Sequence, residues 1–148
     1  MKQFQITRTM LLKFIQTVDE KLVDVQPIGF NNTLRWHIGH VLVSAEAFMF
    51  GYPKMSKNLP DKYNELFAIG TKPSDWKGDV PSLEQLMHDL EEQSSRIQAL
   101  SDDFFAKELP FKFPFGNIET FDDLFAFMNH HEADHLGQMR TMNKIVHG

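Results

Sequence analysis

Cysteine is absent from this sequence. Tryptophan and tyrosine are scarce, with two residues each, whereas there are 14 phenylalanines. Without a thiol of its own, the chain has no disulfide framework, no thiolate metal site and no cysteine nucleophile. If the protein takes part in thiol chemistry, the sulfur must therefore come from a substrate.

Long apolar runs and basic clusters are missing as well. The longest nearly apolar run, residues 41–50, is interrupted by Ser44 and Glu46 and is too short to span a bilayer. Residues 1–5 are too polar for a signal peptide, so we expect a cytoplasmic protein without a membrane partner. The net charge is −5 and no lysine or arginine cluster could follow a phosphate backbone, which argues against nucleic acid as a partner.

The apolar residues that are present follow a helical period. At 148 residues, 42% of them hydrophobic, the chain can form one domain over residues 1–148 with its own core. The i, i+3, i+4 spacing predicts long helices over about residues 2–25, 33–50, 81–100 and 120–146, and a short one over 62–69. The predicted fold is all-α, a four-helix bundle with a long connection between helices two and three.

Two helix starts carry side chains that can cap them. Ser82 with Gln85, and Thr120 with Asp123, have the spacing of capping boxes. Three phenylalanines alternate with other residues over 111–115, which predicts an extended segment with one buried side.

Two histidines of the last predicted helix, His131 and His135, are four residues apart and share a helix face. They fall on the apolar stripe of that helix, so we expect them to point inward, where a metal ion could satisfy both imidazoles. A catalytic zinc site needs at least three protein ligands, so a third must come from elsewhere.

The segment over 131–135 also matches the H-E-x-x-H pattern of zinc proteases, in which the glutamate is the general base. In the longer form of that pattern the third histidine would stand at Thr141, and His147 lies close to the chain end. The protease hypothesis therefore lacks its third ligand, and we expect no peptide cleavage.

The third ligand should come from another helix, and helix two offers His37 and His40. Asn32, Trp36, His40 and Ser44 are four residues apart in succession and share one face. His37 is rotated from His40 by about 60°. Periodicity alone leaves both histidines open as ligands.

These segments carry a resemblance to a known family. Residues 32–40, NTLRWHIGH, and residues 131–139, HEADHLGQM, resemble the motifs of the DinB/YfiT superfamily of small bacterial proteins. Residues 65–70 and 81–86 are similar too, so the resemblance covers essentially the whole chain. It implies a four-helix bundle that holds one divalent metal ion, often zinc or nickel, through three histidines. On this sequence those ligands are His40, His131 and His135.

Further residues are candidates for the site. Glu132 follows a ligand and could act as a catalytic base, orient His135 or simply be solvated. Asn32, Trp36 and Gln138 could support the ligands or line a substrate pocket, although each also suits ordinary caps, packing or hydrogen bonds between helices.

The resemblance also implies a range of functions. Activities in the superfamily include transfer of low-molecular-weight thiols such as bacillithiol or mycothiol, thiol-dependent isomerisation and proposed hydrolysis. We therefore expect a metal-dependent transferase or hydrolase that acts on a small molecule, with a thiol as a candidate cosubstrate. The alternative is a non-enzymatic stress-response protein that binds a metal or a ligand. A homodimer is a further expectation, since helical bundles of this kind often pair.

Overall fold

The computed structural model describes residues 1–148 and is all-helical, which confirms the predicted class. Six α-helices and one 3-10 turn form the chain, and no strand is present. In chain order the helices are α1 (Lys2–Ile15), α2 (Leu34–Phe50), α3 (Lys62–Phe67), α4 (Leu83–Gln98), α5 (Asp102–Phe105) and α6 (Phe121–His147), with the 3-10 turn at Pro73–Asp75.

The four long helices contact one another in four neighbouring pairs. α2 packs against α4 and α6, and α1 packs against the same two helices. Leu11, Leu42, Leu90 and Met139 supply one fully buried side chain from each long helix to the larger apolar core. Because α2 and α6 lie side by side, histidines that are about ninety residues apart in sequence can meet. None of the helices has both the length and the apolar character needed to cross a membrane.

The prediction that the first helix continues to residue 25 is wrong, since α1 ends at Ile15. Local hydrogen bonds replace the helical ones there. Thr17 Oγ1 donates to the carbonyl of Phe14 at 2.7 Å, and Asp19 Oδ1 accepts the backbone N–H of Lys21 at 2.9 Å. Short polar side chains offer the backbone such alternatives to the helix, although the apolar spacing continues.

Both predicted caps are present, but only the one at Thr120 is a complete capping box, since the Gln85 side chain donates to Asp89 and not to Ser82. Thr120 Oγ1 accepts the N–H of Asp123 at 3.2 Å, and Asp123 Oδ2 accepts the N–H of Thr120 at 2.9 Å. Ser82 Oγ accepts the N–H of Gln85 at 3.1 Å. The capping box at Thr120 sets where α6 begins, and this start fixes the rotational position of every later residue of that helix.

Candidate metal centre

Three imidazoles from α2 and α6 meet at one point. The Nε2 atom of His131 lies 3.2 Å from Nε2 of His40 and 3.1 Å from Nε2 of His135. Two nitrogens bound to the same Zn²⁺ ion are about 3.0–3.4 Å apart, given the usual Zn–N bond lengths. The cluster could therefore hold a divalent metal ion, and it consists of the three histidines that the resemblance implies.

The ring of His40 is held from two sides. Its Nδ1–H donates to the carbonyl oxygen of Phe67 at 2.8 Å, and its ring stacks on Trp36 with centroids 4.5 Å apart. A proton on Nδ1 leaves the lone pair of Nε2 free to point at the cluster. Trp36 thus packs against a candidate ligand.

Gly39 allows α3 to approach α2 closely enough for this hydrogen bond. A Cβ atom at Gly39 would lie 2.4 Å from the ring of Phe67, which is far inside van der Waals contact. Any larger residue must therefore push Phe67 away, and with it the carbonyl that orients His40.

We expect Gly39→Ala to lower the free energy of unfolding by about 1–3 kcal/mol, the usual effect of overpacking. It should also weaken Zn²⁺ binding, because the acceptor for His40 moves. Urea denaturation and chelator competition measure the two effects. Gly137→Ala is the matched control, since a Cβ there meets nothing within 4 Å and should add up to about 1 kcal/mol of helix stability. Equal effects of the two substitutions would contradict the role given to Gly39.

His37 lies beside the cluster rather than in it. Its Nδ1 is 2.8 Å from Nδ1 of His135, so one of these two nitrogens carries the shared proton. If His135 offers an unprotonated Nε2 to a metal ion, its Nδ1–H donates to His37. Of the two histidines that helix two offers, it is His40 whose Nε2 lies in the cluster.

We expect His37→Ala to reduce affinity for Zn²⁺ by about 10–100-fold, the usual effect of removing a group that orients a ligand. His37→Asn, whose amide oxygen can still accept, should lose less. Competition with a chromophoric chelator measures both affinities. If His37→Ala binds Zn²⁺ as tightly as the unchanged protein, the hydrogen bond between the two histidines does not support the ligand.

Burial keeps the clustered imidazoles neutral. Desolvation lowers the pKa of His131 to about 4 and that of His135 to about 3, and repulsion from the neighbouring imidazoles adds to both shifts. Desolvation likewise lowers the pKa of His37 to about 4, and that of His40 is lowered although its hydrogen bond to Phe67 opposes the change. At neutral pH the lone pairs are therefore free to bind a cation.

The same pKa shifts predict how the metal-free protein responds to acid. Above the ordinary histidine pKa of about 6.5, both folded and unfolded chains carry neutral imidazoles, so these groups add no pH dependence. As the pH falls from there toward about 4, the unfolded chain takes up protons that the folded chain refuses. The free energy of unfolding should fall across this range. Urea denaturation at a series of pH values measures it, and His135→Gln should show a shallower fall than His130→Gln, which changes an exposed neighbour of the cluster.

Glu132 is neither solvated nor hydrogen-bonded to His135, two of the roles considered for it. It is only 1% exposed, and its two oxygens accept from Nε and Nη2 of Arg8 at 2.8 and 2.9 Å. His131 and His135 are half-buried, so Glu132 lies at the centre of the buried stripe and the two histidines lie at its edge. Burial of this carboxylate is possible because Arg8 neutralises it. Both oxygens of Glu132 are therefore engaged by Arg8 and not by the histidine cluster.

The other two polar candidates stand apart from the histidines. Gln138 Nε2 donates to Asp134 at 2.9 Å along the outer side of α6. Asn32 Oδ1 is buried without a hydrogen-bond partner, and Asn32 lines a polar depression together with Trp36. Neither side chain forms a hydrogen bond to the cluster.

A cavity of about 500 Å³ opens beside His40 and His131. Its lining is mostly apolar and comes from α2, α6 and two connecting segments. The large apolar side chains around it are Phe48, Ile69, Phe113, Phe115 and Phe127. Such a volume accommodates a small organic molecule.

Two features of this cavity were not found from the sequence. Ser44 lines the cavity, with its Oγ 3.5 Å from Nε2 of His40. Its position one helical turn after His40 was the only sequence feature that could have pointed to this contact.

The segment over 111–115 was predicted to bury one side, yet Phe111 and Phe115 are 44% and 55% exposed and Phe113 is half-buried. The correction follows from the fold, because only Phe113 packs against the smaller apolar core, and Phe113 and Phe115 line an open cavity.

An all-helical domain in which histidines from two helices converge beside an open cavity defines a class of candidate mononuclear metal proteins. The chain belongs to the DinB superfamily, whose sequence model matches residues 3–139 and so includes all three clustered histidines. The family resemblance stated from the sequence motifs is thereby confirmed. Among curated proteins, none matches this chain.

Proposed function

We propose that this protein is a metal-dependent enzyme that binds one divalent ion, zinc or nickel, through His40, His131 and His135. The observation that supports this most directly is the convergence of three Nε2 atoms, with neighbouring nitrogens 3.1 and 3.2 Å apart, beside a cavity large enough for a substrate.

We further propose that the four long helices of the protein form a four-helix bundle, with α3 in the long connection between the second and the third of them.

The chemistry follows from three neutral ligands beside an open cavity. When bound, a divalent ion would act as a Lewis acid toward a water molecule or an incoming thiol. The protein's own residues hold the imidazoles in place through Phe67 and His37. Ser44 Oγ can donate a hydrogen bond to a group held beside His40, and the surrounding phenyl rings limit the access of water.

We propose two reaction classes for this centre, transfer of a low-molecular-weight thiol to an electrophile and hydrolysis. The absence of cysteine fits the first, because the sulfur would then arrive with a cosubstrate. In that case the thiol proton leaves to solvent, the sulfur forms a bond to the electrophilic carbon, and the leaving group departs with the electron pair of the broken bond.

A non-enzymatic metal- or ligand-binding protein is the second candidate function. It is favoured by the chemistry of the cavity wall, which contains no aspartate, glutamate, lysine, arginine or tyrosine. Enzymes of both proposed classes usually place a proton-transfer group near the reacting atoms. Glu132, the carboxylate directly after a candidate ligand on α6, is bound to Arg8.

Metal analysis followed by activity assays distinguishes the enzyme from the non-enzymatic binding protein. We expect one divalent ion per chain in the purified, untagged protein, measured by inductively coupled plasma mass spectrometry before and after reconstitution with Zn²⁺ and Ni²⁺. The loaded protein is then assayed with a low-molecular-weight thiol and an aryl or alkyl halide, and with esters and amides. Turnover that disappears on metal removal supports the enzyme. Persistent inactivity of fully loaded protein supports the binder, and a failure to bind either metal contradicts the metal centre and leaves only a ligand-binding protein.

We also propose that the protein is cytoplasmic and forms a homodimer. Ile6 and Met10 expose apolar surface one helical turn apart on α1, and such surface could be covered by a second copy. Light scattering coupled to size-exclusion chromatography measures the oligomeric state directly.

A further inference from the structure

The cavity beside the histidine cluster has walls made largely of phenyl rings. The ring of Phe127 lies 5.0 Å from those of Phe113 and Phe115 and 5.8 Å from that of Phe48, measured between centroids. Phe127 also lies one helical turn before His131, whose ring is 6.3 Å away at 29°. An aromatic surface therefore leads from the open side of the cavity to one of the candidate ligands.

The mouth of this cavity carries apolar side chains that are left in water. Ile69, just after α3, is 89% exposed, and Phe115, in the segment before α6, is 55% exposed, yet both line the cavity. A molecule with an apolar body would remove part of this surface from water, which favours binding in proportion to the area covered. A polar molecule would gain nothing from these contacts.

Charged side chains are absent from the lining. Its polar groups are Ser44, Asn64, His40 and His131, and three of these four lie at or within 3.5 Å of the histidine cluster. A carboxylate placed among the phenyl rings would lose its hydration without gaining a partner. An ammonium group would gain only the attraction of the ring faces, which is smaller than the hydration that it loses. Most of the favourable positions for a polar atom of a ligand therefore lie at the histidine end, with Asn64 as the exception.

We propose that the substrate bound in this cavity is a small uncharged molecule with an aromatic or compact apolar body and one donor atom that points to His40 and His131. This inference rests on the proposed metal-dependent function and deepens it by naming the chemical class of its substrate. The cavity volume of about 500 Å³ leaves room for a ring with a short chain and for a second small molecule beside it.

The test uses the full chain loaded with Co²⁺, whose visible spectrum changes when a thiolate binds. Three thiols with different bodies are titrated: 2-phenylethanethiol, 2-mercaptoethanol and 3-mercaptopropionate. We expect the phenyl compound to bind about 10–100-fold more tightly than 2-mercaptoethanol, because its ring is buried. The carboxylate compound should bind no better than 2-mercaptoethanol.

Two matched variants in the segment over 111–115 test whether the preference for the phenyl compound comes from the cavity. Phe113→Ser should reduce the preference for the phenyl compound by about tenfold, since it removes one wall of the cavity. Phe111→Ser is the control, because Phe111 belongs to the same segment but packs near Tyr52 and does not line the cavity. Circular dichroism verifies that both variants keep their helices. Affinities within twofold for the three thiols, or equal effects of the two variants, would overturn the assignment while the metal centre stands.

A second experiment tests ligand binding in the cavity independently of metal binding. Metal-free protein is mixed with 4-fluorobenzyl alcohol or 4-fluorobenzoate and followed by fluorine NMR. Broadening of the alcohol signal alone, reduced in Phe113→Ser and kept in Phe111→Ser, supports the substrate class even if no metal binds. Equal broadening of both signals, or of neither, contradicts it.

Discussion

His131→Ala should abolish stoichiometric metal binding, with a fall in Zn²⁺ affinity of more than about 100-fold. The reason is geometric, because Nε2 of His131 is the atom that lies within 3.2 Å of both other Nε2 atoms. Removing it leaves two ligands, fewer than the three that zinc keeps in catalytic sites. The loss should exceed the about 10–100-fold effect of removing a group that only orients a ligand. Chelator competition gives the affinities, and elemental analysis gives the stoichiometry.

His130→Ala is the matched control for this substitution. His130 is the preceding residue of the same helix, is exposed and lies outside the cluster. It should keep one ion per chain. Both variants should retain the helical circular dichroism signal, since His131 is only half-buried. One ion per chain in purified His131→Ala would show that the metal is held somewhere else.

Arg8→Met should lower the free energy of unfolding by about 3–5 kcal/mol, the usual effect of leaving a buried charge without its partner. Arg8 and Glu132 are each 1% exposed, and the guanidinium donates two hydrogen bonds to the carboxylate. Arg8 also donates to the carbonyl of Leu90 at 2.8 Å and to Gln93 at 3.2 Å. Urea denaturation at neutral pH measures the loss.

The double variant Arg8→Met/Glu132→Leu distinguishes charge from packing. Removing both charges takes away the unpaired carboxylate, so the double variant should be more stable than Arg8→Met alone. Arg140→Met, an exposed change on α6, should shift stability by less than about 0.5 kcal/mol. If the double variant is as unstable as the sum of its single changes, the two side chains do not act as an ion pair.

The Arg8–Glu132 pair belongs to a buried polar network that connects all four long helices. Gln93 of α4 accepts from Arg8, and its amide nitrogen donates to Glu46 of α2 at 2.8 Å. Arg96 of α4 in turn donates to Glu46 at 3.0 Å. Such a network is satisfied in only one relative position of the helices, so we expect it to favour the arrangement that brings α2 and α6 together.

Features that depend on neighbours along the chain could be predicted from the sequence. The start of α6 at Thr120, the start of α4 at Ser82 and the shared face of His131 and His135 all follow from contacts three or four residues apart. The family motifs belong with these features, because they record residue types at fixed spacing. Together they were enough for the all-helical class, the superfamily and the three clustered histidines.

Features that depend on which helices become neighbours required the tertiary structure. Periodicity alone allowed both His37 and His40, and the choice of His40 came from the family motifs. The packing of α2 on α6 places His40 in the cluster and shows that His37 contacts His135. The sequence also left a solvated Glu132 open, whereas Arg8, more than a hundred residues away, makes the burial of Glu132 possible. The phenyl-lined cavity likewise combines separate segments. Periodicity reports the face of a helix, but it contains no information about the partner against which that face packs.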